Sequence, residues 1–248
     1  MINYLRDKEL DKLFQGKKVA LVGPSPHLID KSIGEIIDSY DIVCRVNEVH
    51  PTGYEADYGN RTDVVFHNCG TRFIETFGQR LVEKAFISKY LKYVICPAVK
   101  ATGADNFVIW PPDFESPVVQ NFNKINVFNT PFHWLGVENY KLIYNLFGCE
   151  PNAGQTAILL LLLYQVEELL ITGFSFYQQG NSPAESHRPG HTNKGLESEM
   201  IGDLGHPQAP QINCFRNKIF PIYKERIVLD SFLNEILSLN HENVLDLT

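Results

Sequence analysis

Short apolar runs recur along the chain: "KVALVG", "DIVCRV", "DVVFHN", "YVICPA", "KINVFN", "ELLITGF" and "RIVLD". They are rich in β-branched residues and lack the apolar–polar alternation of a half-exposed strand, which predicts strands covered on both faces. Between them lie stretches with helical spacing, "KSIGEIIDSY", "RFIETFGQRLVEKAFI", "NYKLIYNLF" and "AGQTAILLLLLYQV". Strands alternating with helices predict βαβ units. The expected fold is α/β: a single Rossmann-like domain over residues 1–248, with a twisted, mostly parallel sheet of about seven strands flanked by helices.

Two regions break this rhythm. Residues 110–125, "WPPDFESPVVQNFNKI", are proline-rich and irregular. Residues 177–211 form a long polar segment behind a strand and hold three of the eight histidines. Loops of this length in compact domains are commonly functional, so 177–211 is the expected lid or active-site loop.

Composition narrows the choices. The formal charge of −7 argues against a nucleic-acid binder, which would carry a basic face. No charged n-region followed by an apolar h-region opens the sequence, so a signal peptide is not expected, and the longest apolar run, "AILLLLLY" at 157–164, is far short of a membrane span. Peripheral association with a membrane stays open. Five cysteines (Cys44, Cys69, Cys96, Cys149, Cys214) show no CxxC pairing and leave an odd thiol, so a reduced, cytoplasmic chain is expected.

In an open α/β sheet, ligands bind beyond the carboxyl ends of the strands. The residues there are Gly23–Pro24–Ser25, Arg45–Asn47, His67–Asn68 and Phe174–Tyr177, joined by Pro151–Asn152–Ala153–Gly154 where the apolar helix starts. Asn152 has the character of an N-cap, and the small residues behind it would let backbone N–H groups approach a phosphate. An ordinary capped core helix fits the same residues. Neither a GxGxxG fingerprint nor a Walker lysine follows Gly23, so NAD and ATP have little support. An Asp-x-Asp pair is absent, and His187 and His191, four apart in a loop, make only a minority case for zinc.

These features come together in a resemblance to a known family. The stretch 37–66, "IDSYDIVCRVNEVHPTGYEADYGNRTDVVF", resembles the large sialyl motif of animal-type sialyltransferases, most specifically through "GYEADYGNRT" at 53–62. Residues 151–176 are similar to the small sialyl motif, and "GHPQAPQ" at 205–211 resembles the short His-x-x-x-x-Glu motif. "SFYQQG" is similar to a stretch of related bacterial sialyltransferases. The resemblance implies a GT-A-like variant fold and transfer of sialic acid from CMP-sialic acid to a glycan hydroxyl, with inversion and without metal or cofactor. Another CMP-activated ulosonic acid such as CMP-Kdo, or a non-catalytic nucleotide- or carbohydrate-binding protein on the same fold, are the alternatives.

Carried over position by position, the resemblance implies His206 as general base and Tyr177 as donor to the leaving phosphate, with His191 the alternative base. It implies donor contacts from Asn47, Asn68, Asn152, Ala153 and Gly154, and Gly23, Ser25 and Phe174, placed after strands, join them as expected donor-site residues. A histidine is the natural base near neutral pH, and neutral donors beside helix amides can steady a leaving phosphate. Arg45 is expected to be a brace pairing with Asp41 or Asp57, and Asp57 and Arg61 to brace the second crossover. Trp134 suits acceptor stacking or the core equally. The chain departs from the family at Pro24 in place of an asparagine, leaving Ser25 or His27 to compensate. It also departs at Ala153 for a hydroxyl residue, Gln211 for a glutamate and Pro183 for a second bacterial tyrosine. Val19 and Gln165 stand where the animal enzymes have a disulfide.

Overall fold

Eight strands join one sheet in the computed structural model of the chain, which describes residues 7–46, 53–67, 91–97, 129–176 and 207–247. They are β1 (Lys18–Val22), β2 (Ile42–Val46), β3 (Val64–Phe66), β4 (Tyr93–Cys96), β5 (Phe132–Trp134), β6 (Glu168–Thr172), β7 (Ile227–Asp230) and β8 (Val244–Leu245). Every pairing is parallel, in the spatial order 5-4-3-2-1-6-7-8. The chain steps outward from β1 to β5, then returns to lay β6 along the other edge of β1. That reversal creates a topological switch point between β1 and β6, where open sheets bind ligands.

Six of the seven apolar runs are strands. Of the seventh, "KINVFN", residues 124–128 lie outside the described residues. β5 and β8 are additions at the two edges of the sheet.

The helices are α1 (Lys8–Phe14), α2 (Gly34–Asp38), α3 (Glu55–Tyr58), α4 (Val137–Phe147), α5 (Ala153–Leu163), α6 (Gln208–Cys214), α7 (Phe220–Tyr223) and α8 (Ser231–Leu237). A π-helical turn, Phe215–Ile219, joins α6 to α7. Val19 and Leu21 of β1 enter the larger core cluster, while Ala20 and Val22 enter the smaller one with Ile37 of α2 and Tyr58 of α3. Both faces of the central strands are therefore apolar, which is why their sequences do not alternate.

Residues 154–163 of α5 are all buried. The sheet lies against it, and Leu10 and Phe14 of α1, Ile143 and Phe147 of α4, and Phe215 and Ile219 beyond α6 fill the same cluster. Each leucine of "LLLLL" buried in this way stabilises the fold by about 1.5–3 kcal/mol. Among the described residues, no helix is long and apolar enough to cross a membrane.

Candidate functional site

The turns that follow β1 and β6 meet backbone to backbone. Gly23 N–H donates to Thr172 O at 2.8 Å, and Ser25 N–H donates to Gly173 O at 2.8 Å. A Cβ on either Gly23 or Gly173 would overlap the other's carbonyl oxygen, and Gly173 has φ +74°. Both positions are thus restricted to glycine by the close approach of the two turns.

Phe174, the next residue, covers the start of α5: a Cβ on Gly154 would lie 2.6 Å from its ring. The N-terminus of α5 is brought to the switch point by this contact. Its cap is complete, with Asn152 Oδ1 accepting Gln155 N–H at 2.8 Å. Gly154→Ala is expected to push the Phe174 ring aside, costing about 1–3 kcal/mol of stability as an overpacked contact does. Thermal or urea unfolding checks it, and an unchanged midpoint would show that the ring is free to move.

Gln211 takes the place of the family's glutamate and is fully buried. Its Oε1 accepts the Asn152 N–H at 3.0 Å, and its Nε2 donates to Pro207 O at 2.9 Å. The two partners fix the amide orientation, because one can only donate and the other only accept. Pro207 immediately follows His206, so the chain leaving the expected base is tied to the cap of α5. Gln211→Ala leaves the Asn152 N–H without this partner and is expected to cost about 1–3 kcal/mol, read as a lower unfolding midpoint at unchanged m-value. Residues 208–211, the end of the expected lid, are the first turn of α6.

The distinctive stretch 53–62 is a brace. Arg45, 3% exposed, donates from Nη2 to the carbonyls of Tyr58 (2.8 Å), Gly59 (3.1 Å) and Arg61 (2.9 Å), and from Nε to Thr62 Oγ1 (2.9 Å). The expected pairing with Asp41 or Asp57 is corrected: Arg45 is held by the carbonyls of a turn instead of by a carboxylate. Burial lowers its pKa to about 10, opposed by the charges of Asp38 and Asp63. Asp57 accepts Ser32 N–H at 2.8 Å. Arg61 spans the carbonyls of Asp38, Tyr40 and Asp41 and the Asp63 carboxylate. Tyr58 donates its hydroxyl to Ser25 O, fastening the brace to the β1 turn. Gly59 has φ +78°, and a Cβ there would sit 2.6 Å from Asp38 Oδ1.

Gly23, Ser25, Asn152, Gly154 and Phe174 are therefore joined by direct contacts around the switch point, with Ala153 beside them and packed against the core. Asn47, Asn68, Tyr177, His191 and His206 lie outside the described residues. Trp134 ends β5 partly buried against the larger core cluster. Among the described residues, no group of three or more His, Cys, Asp or Glu is placed to hold a metal ion. Sequence reasoning missed Asp230, which ends β7 and caps α8 by accepting Leu233 N–H at 2.7 Å. An aspartate closing "RIVLD" directly before a helical stretch carries the N-cap signal that could have found it.

Comparison with known proteins agrees with this architecture. Residues 6–102 match the model of glycosyltransferase family 29 (sialyltransferase). The mouse CMP-N-acetylneuraminate-beta-galactosamide-alpha-2,3-sialyltransferase 1 is 29% identical over 178 residues, covering 71% of this chain and 50% of that protein. The chain spans about half the length of the curated relatives it matches. Among solved structures, sialyltransferase CST-II in complex with CMP superposes with TM-score 0.53 at 16% identity, over 92% of this chain and 86% of that one. CstII from Campylobacter jejuni with the substrate analogue CMP-3FNeuAc gives TM-score 0.52 at 19% identity, over 86% and 81%. Those structures share the fold, and the match over residues 6–102 together with the curated relatives makes the chain similar to sialyltransferases of glycosyltransferase family 29.

Proposed function

We propose that this chain is a glycosyltransferase that moves sialic acid from CMP-sialic acid to a glycan hydroxyl, with inversion at the anomeric carbon and without a metal. One observation carries the reading: in a chain with these similarities, the β1 turn, the β6 turn and the N-terminus of α5 converge at the sheet's switch point. An eleven-residue helix with a completed cap presents N–H groups and a positive dipole end suited to a phosphate. In this reading Asn47 and Asn68 complete the donor contacts, Tyr177 donates to the departing phosphate, and His206 deprotonates the acceptor hydroxyl. Departure of CMP leaves an oxocarbenium-like centre that the acceptor oxygen attacks from the opposite face, which supports inversion.

Cys44, Cys96, Cys149 and Cys214 are free and buried, which fits a reducing, cytoplasmic setting. Burial also raises the Cys44 thiol well above its ordinary pKa, favouring the inert protonated form. Pro24 and Ala153 remove groups that the family uses at the donor, and this favours a second donor, CMP-Kdo, as the variant to test.

The experiment is direct. CMP should bind and raise the unfolding temperature, and either CMP-N-acetylneuraminate or CMP-Kdo should be hydrolysed and transferred to simple galactosides, in EDTA as well as without it. Absence of CMP binding sinks the reading; CMP binding with neither hydrolysis nor transfer supports the non-catalytic alternative. Loss of activity in EDTA overturns metal independence alone.

A further inference from the structure

Residues 23–26 of the β1 turn have no backbone N–H left for a phosphate. Gly23 and Ser25 spend their N–H groups on Thr172 O and Gly173 O, and Pro24 and Pro26 have none. The serine side chain is committed as well. Asp230 is fully buried. Its Oδ2 accepts the Thr172 hydroxyl at 2.8 Å and the Gly173 N–H at 3.0 Å, and it lies 3.0 Å from His27 Nε2. The other ring nitrogen, His27 Nδ1, lies 2.9 Å from Ser25 Oγ. His27 is buried and stacks on Phe232 with ring centroids 4.3 Å apart.

These partners set the direction of each proton. Oδ2 is an accepting carboxylate oxygen, so the imidazole hydrogen sits on Nε2 and points at it. In the neutral ring Nδ1 is then bare and takes the Ser25 hydroxyl proton. Ser25 Oγ is left with lone pairs alone to offer a ligand. Ser25 is 3% exposed, and a phosphate oxygen facing those lone pairs away from water would be an unmatched polar contact. A ligand O–H or N–H would be matched.

We propose that the Ser25–His27–Asp230 chain makes Ser25 an acceptor-only group that reads a hydroxyl or amino hydrogen of the nucleoside half of the donor, while the phosphate is held at the N-terminus of α5. His27 and Asp230 are positioning residues in this arrangement. The inference rests on the CMP-donor reading above. It gives the Pro24 departure a meaning: the turn that carries an asparagine in the family here offers an oxygen without a hydrogen.

The test compares CMP with cytidine, which lacks the phosphate, by calorimetry for CMP and ligand-observed NMR at millimolar cytidine. Ser25→Ala, a small change expected to fold, should weaken both ligands by the same factor, about three- to tenfold for one lost hydrogen bond. His27→Phe keeps a ring against Phe232 but frees the serine proton to turn toward phosphate. The cytidine-to-CMP ratio of Kd values should then rise by about threefold or more; a merely structural role would weaken both ligands together and leave the ratio unchanged. A Ser25→Ala loss confined to CMP places the serine on the phosphate and overturns the inference while leaving the donor reading intact. So does wild-type binding of CMP without measurable cytidine. If the wild type binds neither ligand, the donor reading falls first and this inference with it.

Discussion

Asp230→Ala is expected to lower the stability of the protein by about 3–5 kcal/mol, the range for removing one partner from a buried, hydrogen-bonded charge. The residue is fully buried, and its two oxygens accept from Leu233, Thr172, Gly173 and His27. Alanine takes away the side-chain cap of α8 and strips a partner from the N–H of the glycine that shapes the β6 turn. It also leaves His27 facing a gap in place of a carboxylate. Each abandoned buried donor costs about 1–3 kcal/mol before relaxation, so the total is large even if some of them find water. Urea unfolding checks this, with the midpoint falling at nearly constant m. Thr172→Val removes one of the four donors and should cost about 1 kcal/mol. A loss for Asp230→Ala no greater than that of Thr172→Val would show that the carboxylate does not hold the β1, β6 and β7 turns together.

The frame of the fold was legible wherever burial on both faces left an unbroken apolar run. β1, β2, β6 and β7 each have four or five residues with buried cores, and the enclosed α5 reads as a continuous apolar helix. β5 and β8 were not legible, because three residues and two are too few to show a period. Residues 207–211 read as the end of the expected loop, with Pro207 and Pro210 among them. In the structure Pro207 precedes α6, Pro210 lies in its first turn, and Pro221 opens α7 behind the π-helical turn. Pro207 and Pro210 are tolerated there because first-turn N–H groups have no helical partner to lose.

The candidate site was legible in part for the same reason. Gly23, Asn152, Gly154 and Phe174 announce themselves by following strands or opening a helix, which is a local property. The Arg45 brace is not local: its partners are main-chain carbonyls of residues 58–61, and a carbonyl has no letter in the sequence. Pairing arginine with a nearby carboxylate is the natural expectation, yet here the acidic residues point elsewhere, Asp57 to Ser32 and Asp38 to Asn60 and Arg61. The bond between Asp230 and His27 joins residues 203 positions apart and depends on β7 lying two strands from β1. No spacing rule reaches that far.

In the proposed reaction, His206→Ala is expected to slow sialyl transfer by about 100- to 10,000-fold, the span associated with a positioned general base. A leaving CMP can be steadied by neutral donors, but the acceptor alcohol must lose a proton as it attacks, and water at neutral pH is a poor base for it. His206 sits one residue before Pro207, whose carbonyl is held by Gln211, which in turn holds the capped start of α5. The backbone next to the histidine is therefore tied to the same helix end proposed to hold the donor phosphate. Because the histidine would act on the acceptor, CMP affinity should stay within about twofold of wild type, so the variant separates catalysis from donor binding. Gln211→Ala, which loosens the tether without removing the base, should reduce transfer by a smaller factor. His191→Ala is the control: if it abolishes transfer while His206→Ala does not, the base is His191. If both variants transfer at the wild-type rate, no histidine of the 177–211 segment so far singled out takes the proton.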